Sequence, residues 1–245
     1  MRTTEEIEAF QARSAFRTMA KCPRCAGASL SCECRQRHAF ECRFFEACIP
    51  ETFLRFDAAR VTSNRDIYDE LVVPYMRAIH TAWREGVGIF LHGENGTGKT
   101  LFLSMILSHV LRGPLTAYYT TLPQLSQDMS AGWRDPEFMQ RLELMLSSDF
   151  VAFDELGKES YAQKDNPTRV LFERIVKQRF DRGQPSLFAS NAGPEAIALD
   201  PSMGGYGETV WSVISGSCKD AVMDPGDFRK QHLAARAKAK IWRDG

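Results

Sequence analysis

One octapeptide restricts this chain more than any other stretch: Gly93-Glu94-Asn95-Gly96-Thr97-Gly98-Lys99-Thr100, directly after the apolar run Val87-Gly88-Ile89-Phe90-Leu91. It fits G-x-x-x-x-G-K-[ST], the pattern of a phosphate-binding loop. Three glycines let the backbone turn tightly enough for several N–H groups to converge on an anion, where Cβ atoms would obstruct. Lys99 is then placed to neutralise β- and γ-phosphates, and the Thr100 hydroxyl to ligate magnesium. Residues 101–112 read as a buried helix whose N-terminal dipole faces the anion. An ordinary glycine-rich turn between a strand and a helix, with Lys99 merely solvated, is the competing reading; the full motif and its context together favour the phosphate loop.

Downstream segments repeat the alternation of strand and helix. Leu115 to Thr120 reads as a second strand after the Gly113-Pro114 turn, and residues 122–147 as helical pieces interrupted around Gly132 to Pro136. Asp149-Phe150-Val151-Ala152-Phe153-Asp154-Glu155 is an apolar strand ending in two acids. Asp154 is expected to hold magnesium through water, and Glu155 to orient or deprotonate an attacking water. A helix from Asn166 to Arg182 carries Val170, Leu171, Ile175 and Val176 on its inward stripe. Gln184 to Asn191 is a fourth core strand, ending where the Asn191 amide can position water against a γ-phosphate. A short strand near Lys219 to Met223 closes the pattern. These units predict an α/β fold: a parallel sheet flanked by helices, with ligand at the strand tips.

Before the loop the chain has a different character. Residues 3–20 read as a helix capped by Thr3 or Thr4, with Glu5 and Glu6 in its first turn and Ile7, Phe10 and Phe16 as its apolar content. Six of seven cysteines fall between residues 22 and 48, the tightest set being Cys22-Pro23-Arg24-Cys25 and Cys32-Glu33-Cys34. Two close pairs of thiolates suit a tetrahedral zinc ion, which would hold together a piece too short for its own core. His38, Cys42 and Cys48 stay open as replacement ligands. Residues 49–65 resemble a linker, and 66–85 a helix broken or kinked at Pro74.

With 31 basic and 31 acidic residues, no global field pulls the chain towards nucleic acid or anionic lipid, so such binding must come from local patches. No apolar run approaches a membrane span, and the polar, acidic start does not suit a signal peptide, so a cytoplasmic location with reduced thiols is expected. At 245 residues, 44% of them hydrophobic, the chain can build one substantial core with a small appendage. The organisation expected is a helix and cysteine-rich module over 1–50, a linker over 51–65, a nucleotide-binding domain over 66–228 and a basic tail over 229–245.

Together these motifs resemble the DnaC/DnaI-type helicase loaders, AAA+ ATPases related to IstB-like transposition helpers. Residues 93–100 match the Walker A of that family, Val151 to Gly157 its Walker B, and Ser190-Asn191 its sensor 1. The cysteine pairs with Ala47-Cys48-Ile49-Pro50-Glu51 resemble its N-terminal zinc region and favour loaders over IstB-like proteins. The resemblance implies an AAA+ P-loop NTPase that uses ATP, Mg2+ and Zn2+. It further implies that the chain binds a replicative hexameric helicase and places it on single-stranded DNA within a primosome, joining further copies of itself when ATP-bound. Arg229 resembles the sensor 2 arginine. In the family a G-E-R-V-x-x-R stretch supplies an arginine finger, and Gly207-Glu208-Thr209-Val210-Trp211-Ser212-Val213 has Thr209 and Val213 at those arginines. Such a finger raises phosphoryl transfer by roughly 10³ to 10⁵. Either another residue substitutes for the finger, or hydrolysis is slow and ATP serves mainly as a binding switch; a transposition helper or a nucleotide-binding adaptor with little turnover are the alternatives.

Overall fold

In the computed structural model, residues 2–132, 134–157, 167–199 and 205–226 are described. The apolar runs become β1 (Gly88–Gly93), β2 (Ala117–Thr121), β3 (Phe150–Leu156), β4 (Ser186–Ser190) and β5 (Cys218–Met223). They form one sheet in the order β2-β3-β4-β1-β5, and every pairing is parallel. The order places the carboxyl ends of β1, β4 and β3 side by side, which brings the phosphate loop, Asn191 and the Asp154-Glu155 pair to one rim. Gly88 is obligatory for this pairing, because a Cβ there would lie 1.9 Å from the Ser186 carbonyl oxygen.

Alternation along each strand sorts the core into two layers. Ile89, Leu91, Ala152, Leu187 and Ala189 point into one, while Phe90, Val151, Phe153 and Phe188 point into the other. The first layer is filled by helices before and after the phosphate loop. In chain order, α1 (Thr4–Ala15) lies outside this layer, and the helices that fill it are α2 (Glu33–Glu46), on which α1 packs, α3 (Arg65–Ile67), α4 (Val73–Arg77), α5 (Ile79–Glu85) and α6 (Lys99–Val110). The second layer takes α7 (Leu122–Ala131), α8 (Pro136–Ser147), α9 (Pro167–Asp181), α10 (Pro194–Ala198) and α11 (Glu208–Ser217). Its centre is aromatic: Phe153 stacks on Phe188 with centroids 5.7 Å apart, and Phe172 meets Phe153 edge-on at 5.3 Å.

Residues 65–85 are interrupted more than once. A wide turn over Tyr68–Val72 precedes Pro74, which sits in the first turn of α4 where its missing N–H costs nothing, and a further break falls at Ala78. On α9, Leu171, Ile175 and Val176 are buried as expected, but Val170 is 66% exposed and lies outside the inward stripe. Thr3 caps α1 in a reciprocal box with Glu6, and Phe10 stacks on Phe45 of α2 at 4.2 Å; Phe16 stays exposed.

The expected linker differs most. Ile49 and Val61 are fully or almost fully buried, and Phe53, Leu54 and Phe56 pack against the same core as β1 and α6. Arg43 on α2 explains why this stretch cannot swing free: its guanidinium donates to the carbonyls of Leu111 (2.7 Å), Gly113 (2.6 Å) and Leu115 (2.6 Å). The Ala47 carbonyl accepts from the Tyr119 N–H at 2.8 Å, so the segment leaving α2 is hydrogen-bonded to the sheet's edge strand. No helix among the described residues is long and apolar enough to cross a membrane. Arg229, the rest of the basic tail and Asn166 lie outside the described residues.

Candidate functional site

Between β1 and α6 the loop backbone is left-handed at Gly93, Gly96 and Gly98, with φ of 144°, 85° and 104°. A Cβ on Gly93 would come within 2.4 Å of the Met223 carbonyl oxygen of β5, so close packing as well as conformation demands glycine. Thr97 is buried and its hydroxyl donates back to the Glu94 carbonyl at 3.0 Å, while Glu94 and Asn95 themselves are exposed. The Lys99 ammonium lies inside the loop, donating to the carbonyls of Gly93 and Glu94, both at 2.7 Å, and approaching the Thr97 hydroxyl at 3.3 Å. A concave backbone around a buried cation is a fit for polyphosphate.

Helix α6 runs across β2, β3 and β4 and so carries Thr100 to Asp154. The Thr100 hydroxyl donates to Asp154 Oδ2 at 2.6 Å, and the Tyr119 hydroxyl donates to the same oxygen at 2.8 Å. Asp154 is 2% exposed. Hard oxygen donors held this close suit a magnesium ion, coordinated by the Thr100 hydroxyl and, directly or through water, by Asp154. Burial first, then the Asp154 charge, pushes the Tyr119 phenol far above its ordinary range, so it is a fixed hydrogen-bond donor.

Asp154 and Glu155 occupy an irregularity in β3. Phe153 pairs with Phe188 and Leu156 with Ser190, so three steps along β3 match two along β4. Glu155 takes φ of 60°, a conformation costing a residue with a Cβ about 1 kcal/mol or more. The bulge turns successive acids towards the same rim, which an unbroken pleat would send to opposite faces. Beyond β4, the Ser190 hydroxyl donates to the Leu156 carbonyl at 3.1 Å and accepts from the Ala192 N–H at 2.9 Å. That brace holds the turn on which Asn191 stands exposed, next to the end of β3.

Two residues of this rim were not foreseen in the sequence. Tyr119 is one. The other is Asn64, whose amide donates to the Thr97 carbonyl at 3.0 Å and whose oxygen accepts from the Asp224 N–H at 2.6 Å. It joins the phosphate loop to the end of β5 at Asp224, 160 residues further along the chain than Asn64 itself. Its left-handed φ of 51° is the one local signal, and asparagine tolerates that region well. Thr209 and Val213 both lie on α11, Thr209 exposed and Val213 half-buried.

The sulfurs of Cys22, Cys25, Cys32 and Cys34 all lie within 4.8 Å of one another. Cys22 and Cys32 are 3.8 Å apart, Cys25 and Cys34 3.5 Å. Zinc–sulfur bonds of about 2.3 Å put tetrahedral sulfurs roughly 3.8 Å apart, so the cluster has the dimensions of a four-thiolate site. The local fold explains why. Ala26 and Gly27 turn left-handed after the first pair, and Arg35 ties the loop by donating to the Ser29 and Gly27 carbonyls. The Ser29 backbone is the main influence lowering the Cys25 thiol to about 6, whereas burial pushes Cys34 up to about 12. His38 and Cys42 are engaged elsewhere, with each other and, for His38, with Ser14 at 2.9 Å; Cys48 donates to the Glu46 carbonyl.

No protein-family model matches the sequence. The chain is similar to the replicative helicase loader DnaI of Bacillus subtilis, 21% identical over 115 residues, which are 46% of this chain and 36% of DnaI. The match thus spans about a third of that relative. Among solved structures, a crystal structure of DnaI superposes with a TM-score of 0.58 at 18% identity, covering 71% of this chain and 94% of that one. The DnaC helicase loader gives 0.55 at 19%, covering 74% and 99%, and AMPPCP-bound DnaA from Aquifex aeolicus gives 0.55 at 18%, covering 76% and 54%. At such identities the structural likeness speaks for the fold and the sequence match for a likeness alone: the chain has the AAA+ fold and is similar to helicase loaders of the DnaC/DnaI type.

Proposed function

We propose that this chain is an ATP-dependent loader that grips a replicative hexameric helicase and helps to place it on single-stranded DNA. The observation that carries the nucleotide part is the convergence, on one sheet rim, of the Lys99-filled loop with Thr100, Asp154 and Glu155. The helicase and DNA part is supported by the likeness to DnaI and DnaC. In this reading an incoming triphosphate replaces the Gly93 and Glu94 carbonyls as the partner of Lys99. Asp154 and Thr100 hold magnesium, which when bound neutralises the phosphate oxygens. Glu155 orients or deprotonates water, Asn191 positions it, and Arg229 takes the part of the sensor 2 arginine that the resemblance implies. Zinc at the four cysteines supplies the folding energy that a module of this length lacks.

The presence of Thr209 and Val213 where the resemblance implies arginines favours a second reading, an adaptor that binds ATP but turns it over little. Turnover measured alone, with single-stranded DNA and with a replicative helicase separates the two. Lys99→Ala is expected to weaken binding of a fluorescent ATP analogue by about 100-fold, because it removes a buried charge-assisted contact. Unchanged binding would refute the loop assignment. Glu155→Gln should keep binding and lose turnover; equal turnover under every condition removes Glu155 from the chemistry.

A further inference from the structure

The cysteine-rich module and the ATPase body meet at a cleft of about 580 Å³ that shares no lining residue with the phosphate loop. Small-molecule sites span roughly 300–1,000 Å³. Separate segments supply its walls: Arg17 from the turn after α1, Arg37, Phe40 and Glu41 from α2, Arg55 from the packed segment that follows, and Arg112 from the end of α6. Four arginines and one carboxylate thus line a single cleft.

That carboxylate is already committed. Glu41 is 3% exposed and accepts from Ser14 (2.7 Å), Arg17 (2.5 Å) and Arg55 (3.4 Å). Arg37 and Arg112 are exposed and form no ion pair among the described residues. A basic side chain at the end of α6 complements the helix dipole, which accounts for Arg112, and Glu41 accounts for Arg17 and Arg55, but neither accounts for Arg37. With one carboxylate among four arginines the concavity keeps a net charge of about +3, an electrostatic cost that an anion would offset. The Arg112 guanidinium also lies 5.7 Å from the centre of the Phe40 ring, and guanidinium planes and aromatic rings are the groups on which bases stack. An acidic side chain would use the charges alone.

We propose that this cleft binds the phosphate and base of a nucleotide, presented by a single-stranded nucleic acid or by a free nucleotide. In the first case it deepens the loader reading, on which that case rests, by giving the strand a surface on the seam between module and ATPase. Guanidinium forks take phosphate bidentately, and the seam position means that an occupied cleft ties α1 and α2 to α6, the helix that carries Lys99.

The test uses the full chain and the double variant Arg37→Ala/Arg112→Ala, which leaves the Glu41 network whole. Anisotropy of a labelled oligo-dT is titrated over a range of salt, with dTMP and polyglutamate as competitors and a fluorescent ATP analogue measured in parallel. The double variant should bind oligo-dT at least about tenfold more weakly at low salt, with the log–log salt slope reduced by about 1.4 for two lost contacts. Its ATP-analogue binding and thermal melt should match the wild type. Competition by dTMP that disappears in the variant identifies a free nucleotide as the ligand, and loss of oligo-dT binding without dTMP competition identifies the strand. Equal oligo-dT binding and slope in both proteins overturns the cleft while leaving the loader reading intact. Polyglutamate competing better than dTMP, in the wild type alone, overturns it in favour of an acidic peptide. A wild type that binds neither nucleic acid nor dTMP overturns both the cleft and the DNA part of the loader reading, and the ATP analogue then reports on the phosphate loop separately.

Discussion

Tyr119 spends both its polar groups inside the protein, its N–H on the Ala47 carbonyl and its hydroxyl on Asp154. One residue therefore touches both the chain leaving the cysteine module and the acid expected to hold magnesium. Tyr119→Phe keeps the ring and deletes a single hydrogen bond to a carboxylate, worth about 1.5–3 kcal/mol. Magnesium-dependent ATP binding is expected to weaken by roughly tenfold while magnesium-free binding stays as it was; equal loss in both assays would mean that Tyr119 only packs. The sequence could not single it out, because Tyr118 and Tyr119 are adjacent and pleating sends them to opposite faces. Pairing of Thr121 with Asp154 sets which one reaches the acid. Glu155 is the converse case: its place after Asp154 was legible, and the bulge that aims it was not.

At the scale of elements, α1 and α2 are held by the stack of Phe10 on Phe45 and by the buried Glu41. Burial by itself would raise the Glu41 pKa, but hydrogen bonds from Arg17 and Ser14 outweigh it and hold the carboxyl below its usual 4.5. A lowered folded-state value means that the stabilisation is complete above the unfolded carboxylate range and disappears as pH falls through the folded value. The melting temperature of the wild type should therefore drop as pH is taken below about 4, and Glu41→Gln should lower it at neutral pH and flatten that acid limb. Parallel acid limbs in the two proteins would show that other carboxylates govern it. The helix α1 was readable from Thr3 and Glu6, three residues apart, whereas Glu41 meets Ser14 and Arg17 only through the packing of two helices.

Over the whole molecule, the rim that carries the nucleotide residues is separate from the part that anchors the sheet. Arg179 is fully buried at the opposite, amino ends of β3 and β4, donating to the carbonyls of Met145, Ser148, Asp149 and Pro185 and to the Ser186 hydroxyl. Burial pulls its pKa down to about 9, so it remains charged at neutral pH. Arg179→Met strands those acceptors and is expected to cost about 3 kcal/mol or more in denaturant unfolding, with ATP affinity unchanged below the transition. A comparable loss of ATP affinity would show that the two ends of the sheet are coupled. What the sequence by itself determined is the local pattern: a strand, loop and helix in the order of a phosphate-binding motif, an acid pair on a strand end, and cysteine pairs spaced for one metal. Each is a short run of neighbours whose geometry follows from backbone conformation, so its meaning travels with the residues. The tertiary structure alone decided that residues 49–65 are packed, that Asn64 reaches Thr97 and Tyr119 reaches Asp154, and that arginines from residues 17 to 112 share one cleft. Those are contacts between distant segments, and they exist only after strand order and helix packing have brought the segments together.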